Sequence, residues 1–436
     1  MKSIDRIPTS KIQRAGKLVS TGAKVGVNFL KYYGEKITKT EKEAKDNLNK
    51  NNAEDIYSGL KQLKGSALKV AQMLSMEKSL LPQAYVDKFS LAQFSVPPLS
   101  SPLVIKTFKK YFGQHPNHIF DEFDSESVNA ASIGQVHKAE KDGKQLAVKI
   151  QYPGVADSIK SDLAMVKPIA IKMFNIKGKD SDKYFQEVED KLVEETNYKL
   201  EISQSKEIAK ACVHIPNLLF PEYYDTYSSD RIITMDFMKG EHLSEFAKYN
   251  SDKEKANQLG QALWDFYMFQ IHTLKKVHAD PHPGNFLINE DAQLIALDFG
   301  CMKSIPDEFY NPYFELSNKK IIDNPELFSK KLYELEILTP ADTPEELVFF
   351  TAMFHELLSV FTLPFHDSIF DFSNPVFFDK IKNLAERYSK STELRKFNGN
   401  RGSKHFIYIN RTFFGLYNLM FDLKASAVKI NQFNNY

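Results

Sequence analysis

Cysteine is nearly absent: Cys212 and Cys301 are the only two among 436 residues. Two thiols cannot build a disulfide framework, and a reducing, cytoplasmic compartment is the simpler expectation. The N-terminus has no apolar signal-peptide core. Long uncharged apolar runs are missing too. The most apolar long window, Leu347 to Phe365, contains His355, Glu356 and Pro364, so a buried helix is expected there and no transmembrane segment. Net charge is only +1, so no global field steers the chain to nucleic acid. No internal repeat is apparent. What remains is ordinary for a globular chain, with 42% hydrophobic and 26% charged residues, at a length suited to two or three domains or one two-lobed unit with additions.

Charge is unevenly distributed. Residues 1–50 carry twelve Lys/Arg against five Asp/Glu. Within them, Ile12 to Tyr33 interleaves Leu18, Val19, Val25, Val27, Phe29 and Leu30 with Lys17, Lys24 and Lys31. That composition suits an amphipathic helix for peripheral membrane or partner contact, and equally a helix packed on its own domain. Lys36 to Asn52 is almost purely polar and is expected to be a linker, closing a first segment of residues 1–52. Residues 53–125 form a helical extension, since Leu60, Leu63, Ala67, Leu68, Ala71 and Leu74 recur at helical spacing. Lys69 and Gln72, three apart, share a face of it. Pro82 and Pro97-Pro98 bracket a second helix.

A strand-rich domain is expected over residues 126–238. Two strand-like runs flank Asp142-Gly143, a strong hairpin signal. Lys149 lies inside the second, Leu146-Ala-Val-Lys-Ile150, and a charge in so apolar a strand needs an anionic partner. An edge-strand lysine is the plainer account; phosphate oxygens with a helix carboxylate are the functional one. Glu195 is the expected carboxylate and Glu201 the alternative, both within the helical segment Tyr184 to Lys206. Before this strand, Ala130-Ala131-Ser132 stands where a glycine-rich phosphate loop would be, and its methyl groups hinder close backbone approach to phosphates. Ile232 to Gly240 predicts a strand turning into a linker, with Asp236, Phe237 and Met238 candidates for backbone contact with adenine.

The last expected domain, residues 239–436, is helical. Asn257 to Val277 predicts a long helix leading into His278-Ala-Asp-Pro-His-Pro-Gly-Asn285 and, thirteen residues on, Asp298-Phe-Gly300. The apolar runs Phe286–Ile288 and Leu294–Leu297 predict a hairpin that brings Asn285 and Asp298 together. An amide and a carboxylate there suit Mg²⁺, shared with substrate phosphates, and Asp280 would position an attacking hydroxyl or water. This is the order of parts in a protein-kinase catalytic loop and metal loop. Turn chemistry accounts for Asp, Asn, Gly and Pro taken singly. A zinc site of His278, Asp280 and His282 is a further reading, although Pro281 and Pro283 keep the three off one helix face.

Taken together, Lys69-Val-Ala-Gln72, Ala130-Ala-Ser-Ile133 with Gly-Gln-Val-His137, Val148-Lys149, Glu195 with Asn197, the His278–Asn285 string and Asp298-Phe-Gly300 resemble the UbiB family of atypical kinases, over roughly residues 55 to 425. The resemblance implies an α+β, two-lobed protein-kinase-like fold with a helical N-terminal extension packing over the cleft. It implies ATP and Mg²⁺ as ligands, and a link to ubiquinone and related isoprenoid-lipid synthesis. It implies ATPase or small-molecule kinase activity more than protein phosphorylation. On it, Ala130, Ala131, Ser132 and Ile133 line the nucleotide with Lys149; Asn285 and Asp298 hold the metal; Asp280 is catalytic; and Lys69, Gln72, Asn197 and Glu201 are regulatory. The family's Lys-x-Gly-Gln carries Ala71 here, its Glu-x-Asp carries Asn197, and its alanine run begins with Asn129. The rival to an enzyme is a kinase-like nucleotide switch that scaffolds lipid-biosynthetic enzymes.

Overall fold

The computed structural model describes residues 11–63, 67, 69–70, 82–90, 98–130, 133–174, 180–389, 391, 393–394, 397 and 401–430. The chain divides into two compact units, Met1–Ser203 with Glu222–Phe237, and Gln204–Pro221 with Met238–Tyr436.

The first unit opens with helix α1 (Lys11–Glu35) and helix α2 (Glu41–Leu63). The expected linker at Lys36–Asn52 is therefore corrected: most of it is helix. Thr40 and Glu43 close a capping box, with Glu43 N donating to Thr40 Oγ1 at 3.3 Å and Thr40 N to Glu43 Oε2 at 3.1 Å. Ala44, Leu48 and Asn52 then form a thin buried stripe at a spacing of four. Among the described side chains of α1, the buried ones are polar, Arg14 and Asn28. Arg14 Nε and an Nη reach the two carboxylate oxygens of Asp162 at 2.7 and 2.5 Å, and the other Nη donates to Leu63 O at 3.0 Å. Asn28 Nδ2 donates to Asn52 and Asp55. Among its apolar residues, Val19 and Leu30 are each 73% exposed.

Helices α3 (Gln83–Ser90) and α4 (Ser101–Phe112) lead to strands β1 (Glu122–Ala130), β2 (Gly134–Lys141) and β3 (Lys144–Gln151). Asp142 and Gly143 both take positive φ, 52° and 75°, which matches the twist of the tight β2–β3 hairpin. Helices α5 (Val155–Phe174), α6 (Asp180–Glu195) and α7 (Tyr198–Cys212) follow, and β4 (Ile232–Asp236) completes an antiparallel sheet in the order β1-β2-β3-β4. One apolar core joins Leu60, Leu63 and Phe108 from the leading helices to Val148, Ile150, Val188 and Leu192.

In the second unit α8 (Leu243–Tyr249) precedes α9 (Lys253–Met268), whose first turn is capped by Asp252 and whose Trp264, Phe266, Tyr267 and Met268 are fully buried. The expected single helix to Val277 stops short. A π turn occupies Phe269–Thr273, Lys275 turns the chain with φ 51°, and β5 (Lys276–His278) follows. Strands β6 (Phe286–Ile288) and β7 (Leu294–Ala296) form the expected hairpin, and β8 (Met302–Ser304) pairs with β5. Helices α10 (Asp307–Glu315), α11 (Pro325–Glu334), α12 (Pro344–Phe361), α13 (Pro375–Ser389) and α14 (Lys404–Asp422) enclose a second core running from Ile208 to Ile430. The apolar window at Leu347 lies on α12, which buries Phe350, Met353, Phe354 and Leu358. Among the described residues no helix is long and apolar enough to cross a membrane.

Candidate active site

Lys149 stands on β3 between Val148 and Ile150, both fully buried. Its ammonium lies 2.6 Å from Glu201 Oε1, with the two side chains 12% and 5% exposed, and 5.2 Å from the centroid of the Tyr198 ring. A charge so enclosed persists because its partner is at hydrogen-bond distance. The expected pairing with Glu195 is therefore corrected to Glu201. The helical segment Tyr184–Lys206 is two helices, broken at Thr196-Asn197, so the two acids belong to different elements. Glu195 ends α6 and pairs instead with Lys69, Oε1 to Nζ 3.1 Å. Asn197 Oδ1 accepts from Leu200 N at 3.1 Å and so caps α7. Asparagine and aspartate serve about equally at that position, which accounts for the departure at Asn197.

The region before β2 is partly described. Ala131, Ser132, Ala71 and Gln72 lie outside the described residues, as does the side chain of Ala130. Ile133 is buried, and its carbonyl accepts from Tyr152 N at 2.8 Å. At Gly134 an added Cβ would meet Ile150 O at 2.7 Å, so this glycine permits the close approach of β2 to β3. The Asp236 side chain is engaged within its own unit, accepting from Tyr224 Oη at 2.7 Å and Glu222 N at 3.0 Å. Phe237 N donates to Gln145 O, and Met238 opens the second unit.

A buried polar chain in the first unit escaped sequence reasoning. Gln135 Oε1 accepts from Leu99 N at 2.6 Å, Gln135 Nε2 meets His137 Nε2 at 2.7 Å, and His137 Nδ1 meets Asp124 O at 2.9 Å. Burial lowers the His137 pKa, so the ring is neutral, donating from Nδ1 and accepting at Nε2. The signal available was Gln-Val-His, two polar residues facing one side of a strand.

In the second unit the β6–β7 hairpin does what its sequence implies. Leu297 N donates to Asn285 O at 3.0 Å, which brings Asn285 and Asp298 to the same end of the hairpin. The loop from Asp280 closes on itself. Asp280 O accepts from His282 N at 2.8 Å and from Asn285 Nδ2 at 3.0 Å, while His282 Nδ1 accepts from Gly284 N. The amide of Asn285 is thereby oriented, leaving Oδ1 as its cation-binding atom. Asp298 Oδ1 accepts from Gly300 N at 2.8 Å, and Phe299 is buried against the rings of Phe220, Phe266 and His278. One amide and one carboxylate oxygen are hard donors that suit Mg²⁺, a cation that keeps waters and phosphates in its remaining positions. The residues present fit that ion.

They do not fit zinc. His278 is 2% exposed, and among the described residues no group of three His, Cys, Asp or Glu side chains is arranged to hold a metal; the backbone N–H of His278 donates to Gln270 Oε1. Two supports of the loop were not foreseen. Gln270, in the π turn, fixes β5 just before Asp280. Gly415 on α14 lets that helix press on Pro281: an added Cβ would come within 2.3 Å of Pro281 Cγ. Tyr267, wholly buried, has its phenol pKa pushed well up, by burial first and by the negative charge of Asp280 second.

The ABC1 atypical kinase-like domain model matches residues 91–328. A chloroplast aarF domain-containing protein kinase of Arabidopsis thaliana is 30% identical over 73% of this chain and 45% of its own length. The mitochondrial atypical kinase COQ8 of Saccharomyces cerevisiae is 30% identical over 71% of this chain and 63% of its own. The chain thus spans about half the length of the curated relatives it matches. A Mycobacterium tuberculosis protein solved with erythromycin shares the fold at a TM-score of 0.59 and 22% identity, covering 90% of this chain and 97% of its own. With the domain model matching more than half of its residues, this α+β, two-lobed kinase-like chain belongs to the ABC1 atypical kinase family, whose COQ8 members place it within the UbiB group tied to ubiquinone biosynthesis.

Proposed function

We propose that the chain binds Mg-ATP and transfers the γ-phosphoryl group to water or to a hydroxyl of a small molecule or lipid connected with isoprenoid-quinone synthesis, rather than to proteins. The observation that carries this reading is the hairpin end, where Asn285 and Asp298 come together beside the self-closed Asp280 loop. Lys149, held by Glu201, contacts the nucleotide phosphates. Asn285 and Asp298 would hold Mg²⁺, which would supply neutralisation of the negative charge on the substrate phosphates. Asp280 accepts the hydrogen bond of the attacking hydroxyl and takes its proton. The new oxygen–phosphorus bond then forms as the β–γ bridge breaks and ADP leaves. Positioning and charge stabilisation supply most of the acceleration in such chemistry.

A lipid surface is the second partner in this reading. Val19, Leu30 and Tyr33 of α1 are well exposed among Lys17, Lys24 and Lys31, a combination that suits contact with anionic bilayers.

Isothermal titration with Mg-AMP-PNP tests nucleotide binding. Wild-type binding that Asp298→Ala abolishes is expected; no binding, or binding unchanged in the variant, overturns the reading. Phosphate release across a panel of isoprenoid-quinone precursors and anionic vesicles tests turnover. Binding without turnover under every condition would replace the enzyme with a nucleotide switch that scaffolds lipid-biosynthetic enzymes.

A further inference from the structure

The first unit contains a cavity of about 1050 Å³ that nothing in the phosphoryl-transfer reading uses. Its walls are α1, α4, the turn from β3 into α5, and Arg231 at the entry to β4. We propose that this cavity binds a small phosphate ester bearing hydroxyl groups, of the polyol-phosphate class.

Charge is the first reason. Lys17 from α1, Lys106 and Lys110 from α4 and Arg231 face the cavity, against a single carboxylate, Asp157. Lys106 and Lys110 stand four apart on one helix, where like charges repel. None of the three lysines enters an ion pair among the described residues. An anion between them offsets that repulsion. The N-terminal turn of α5 also opens here through Gly154, Ala156 and Asp157, so the positive end of a helix of 20 residues adds to the same field.

Gln151 supplies the second, independent reason. It lines the cavity, is 1% exposed, and spends its Nε2 on Thr196 O at 3.1 Å. Its Oε1 is buried with no hydrogen-bond partner. A buried carbonyl oxygen in this state lacks a donor. A fully ionised phosphate group brings none, whereas a hydroxyl carried beside it on the same molecule does. Size agrees, because the volume is ample for a phosphorylated polyol. The walls are also fixed in advance: the buried Arg14–Asp162 pair fastens α1 to α5 and Arg231 donates to Thr196 O at 2.7 Å.

The test titrates the full chain, with Mg-AMP-PNP present, using inositol 1-phosphate, sn-glycerol 3-phosphate and methyl phosphate. Phosphatidylinositol vesicles in phosphatidylcholine form a separate arm. The expected result is binding of the hydroxylated esters at least tenfold tighter than methyl phosphate, and at least tenfold weaker binding by the Lys106→Ala/Lys110→Ala double variant. Vesicle binding that the double variant loses, with no binding of soluble esters, supports the same site and assigns a lipid headgroup as its source. Binding of neither form, or equal binding by the double variant, overturns the site; equal affinity for methyl phosphate overturns the hydroxyl requirement. Failure of AMP-PNP to bind would sink the nucleotide reading alone and leave the lysine comparison intact.

Discussion

At the scale of single residues, the decisive finding is which acid serves Lys149. Helical spacing could not choose between Glu195 and Glu201, because the choice depends on a break at Thr196-Asn197 that a continuous run of helix formers conceals. Glu201→Gln leaves an enclosed ammonium without its counter-charge. ATP turnover should fall roughly tenfold or more in that variant, as expected for loss of a buried charged partner. Glu195→Gln instead strands Lys69, itself enclosed, and should lower thermal stability while reducing turnover per folded molecule less than Glu201→Gln does; phosphate release and thermal unfolding measured on both variants check the assignment.

His272 gives a pH-dependent prediction at the same scale. Burial, and then the nearby Lys275, push its pKa down to about 3, and Nδ1 pairs with Tyr310 Oη at 2.8 Å. The ring is neutral in the fold but titrates near 6.5 once unfolded. Its contribution to stability is therefore complete above pH 6.5 and is lost as pH falls toward 3. The slope from this one group is at most about 1.4 kcal/mol per pH unit. Urea unfolding of His272→Gln beside wild type should show a flatter pH dependence between 6 and 4.

Elements differ in how plainly they announce themselves. The β6–β7 hairpin was legible because two short apolar runs flank a polar turn, and Asp142-Gly143 marked the β2–β3 turn because both residues tolerate positive φ. Helix α2 was not, since a capping box and a stripe of Ala44, Leu48 and Asn52 carry it through a sequence that otherwise looks like solvated chain. Nor was the seat of α14 on the Asp280 loop. Gly415 lies in an aromatic-rich helix, and nothing local says that it faces a proline more than 130 residues earlier. Gly415→Ala should overpack this contact and cost about 1–3 kcal/mol in urea unfolding. Because the displaced loop carries Asp280, ATP turnover should drop more than AMP-PNP affinity does.

For the whole molecule, the motif string was enough to name the family, while the role of the leading helices was not foreseeable. The apolar-basic pattern suited α1 equally to membrane or partner contact and to packing on its own domain. Among its described side chains Arg14 and Asn28 are the buried ones, partnered by Asp162, Asn52 and Asp55, while Val19, Val27 and Leu30 stay exposed. This bears on any membrane test. Removing residues 1–50 would strand Asp162, so the informative variant is Leu30→Glu/Tyr33→Glu, which alters only exposed positions. Pelleting with anionic vesicles should fall severalfold in that variant while its thermal unfolding stays unchanged.

The two cores also overrun the stretch by which relatives are recognised. Someone trimming this chain to residues 91–328 for expression would strip Leu60 and Leu63 from Val148 and Ile150 at one end. At the other end the cut would take Leu332, Phe350, Ile409 and Leu416 away from Ile271 and Val277. Both faces would then meet water as greasy scars, and the product should collect in inclusion bodies. Borders drawn by shared ancestry are thus poor guides to where this polypeptide can be cut.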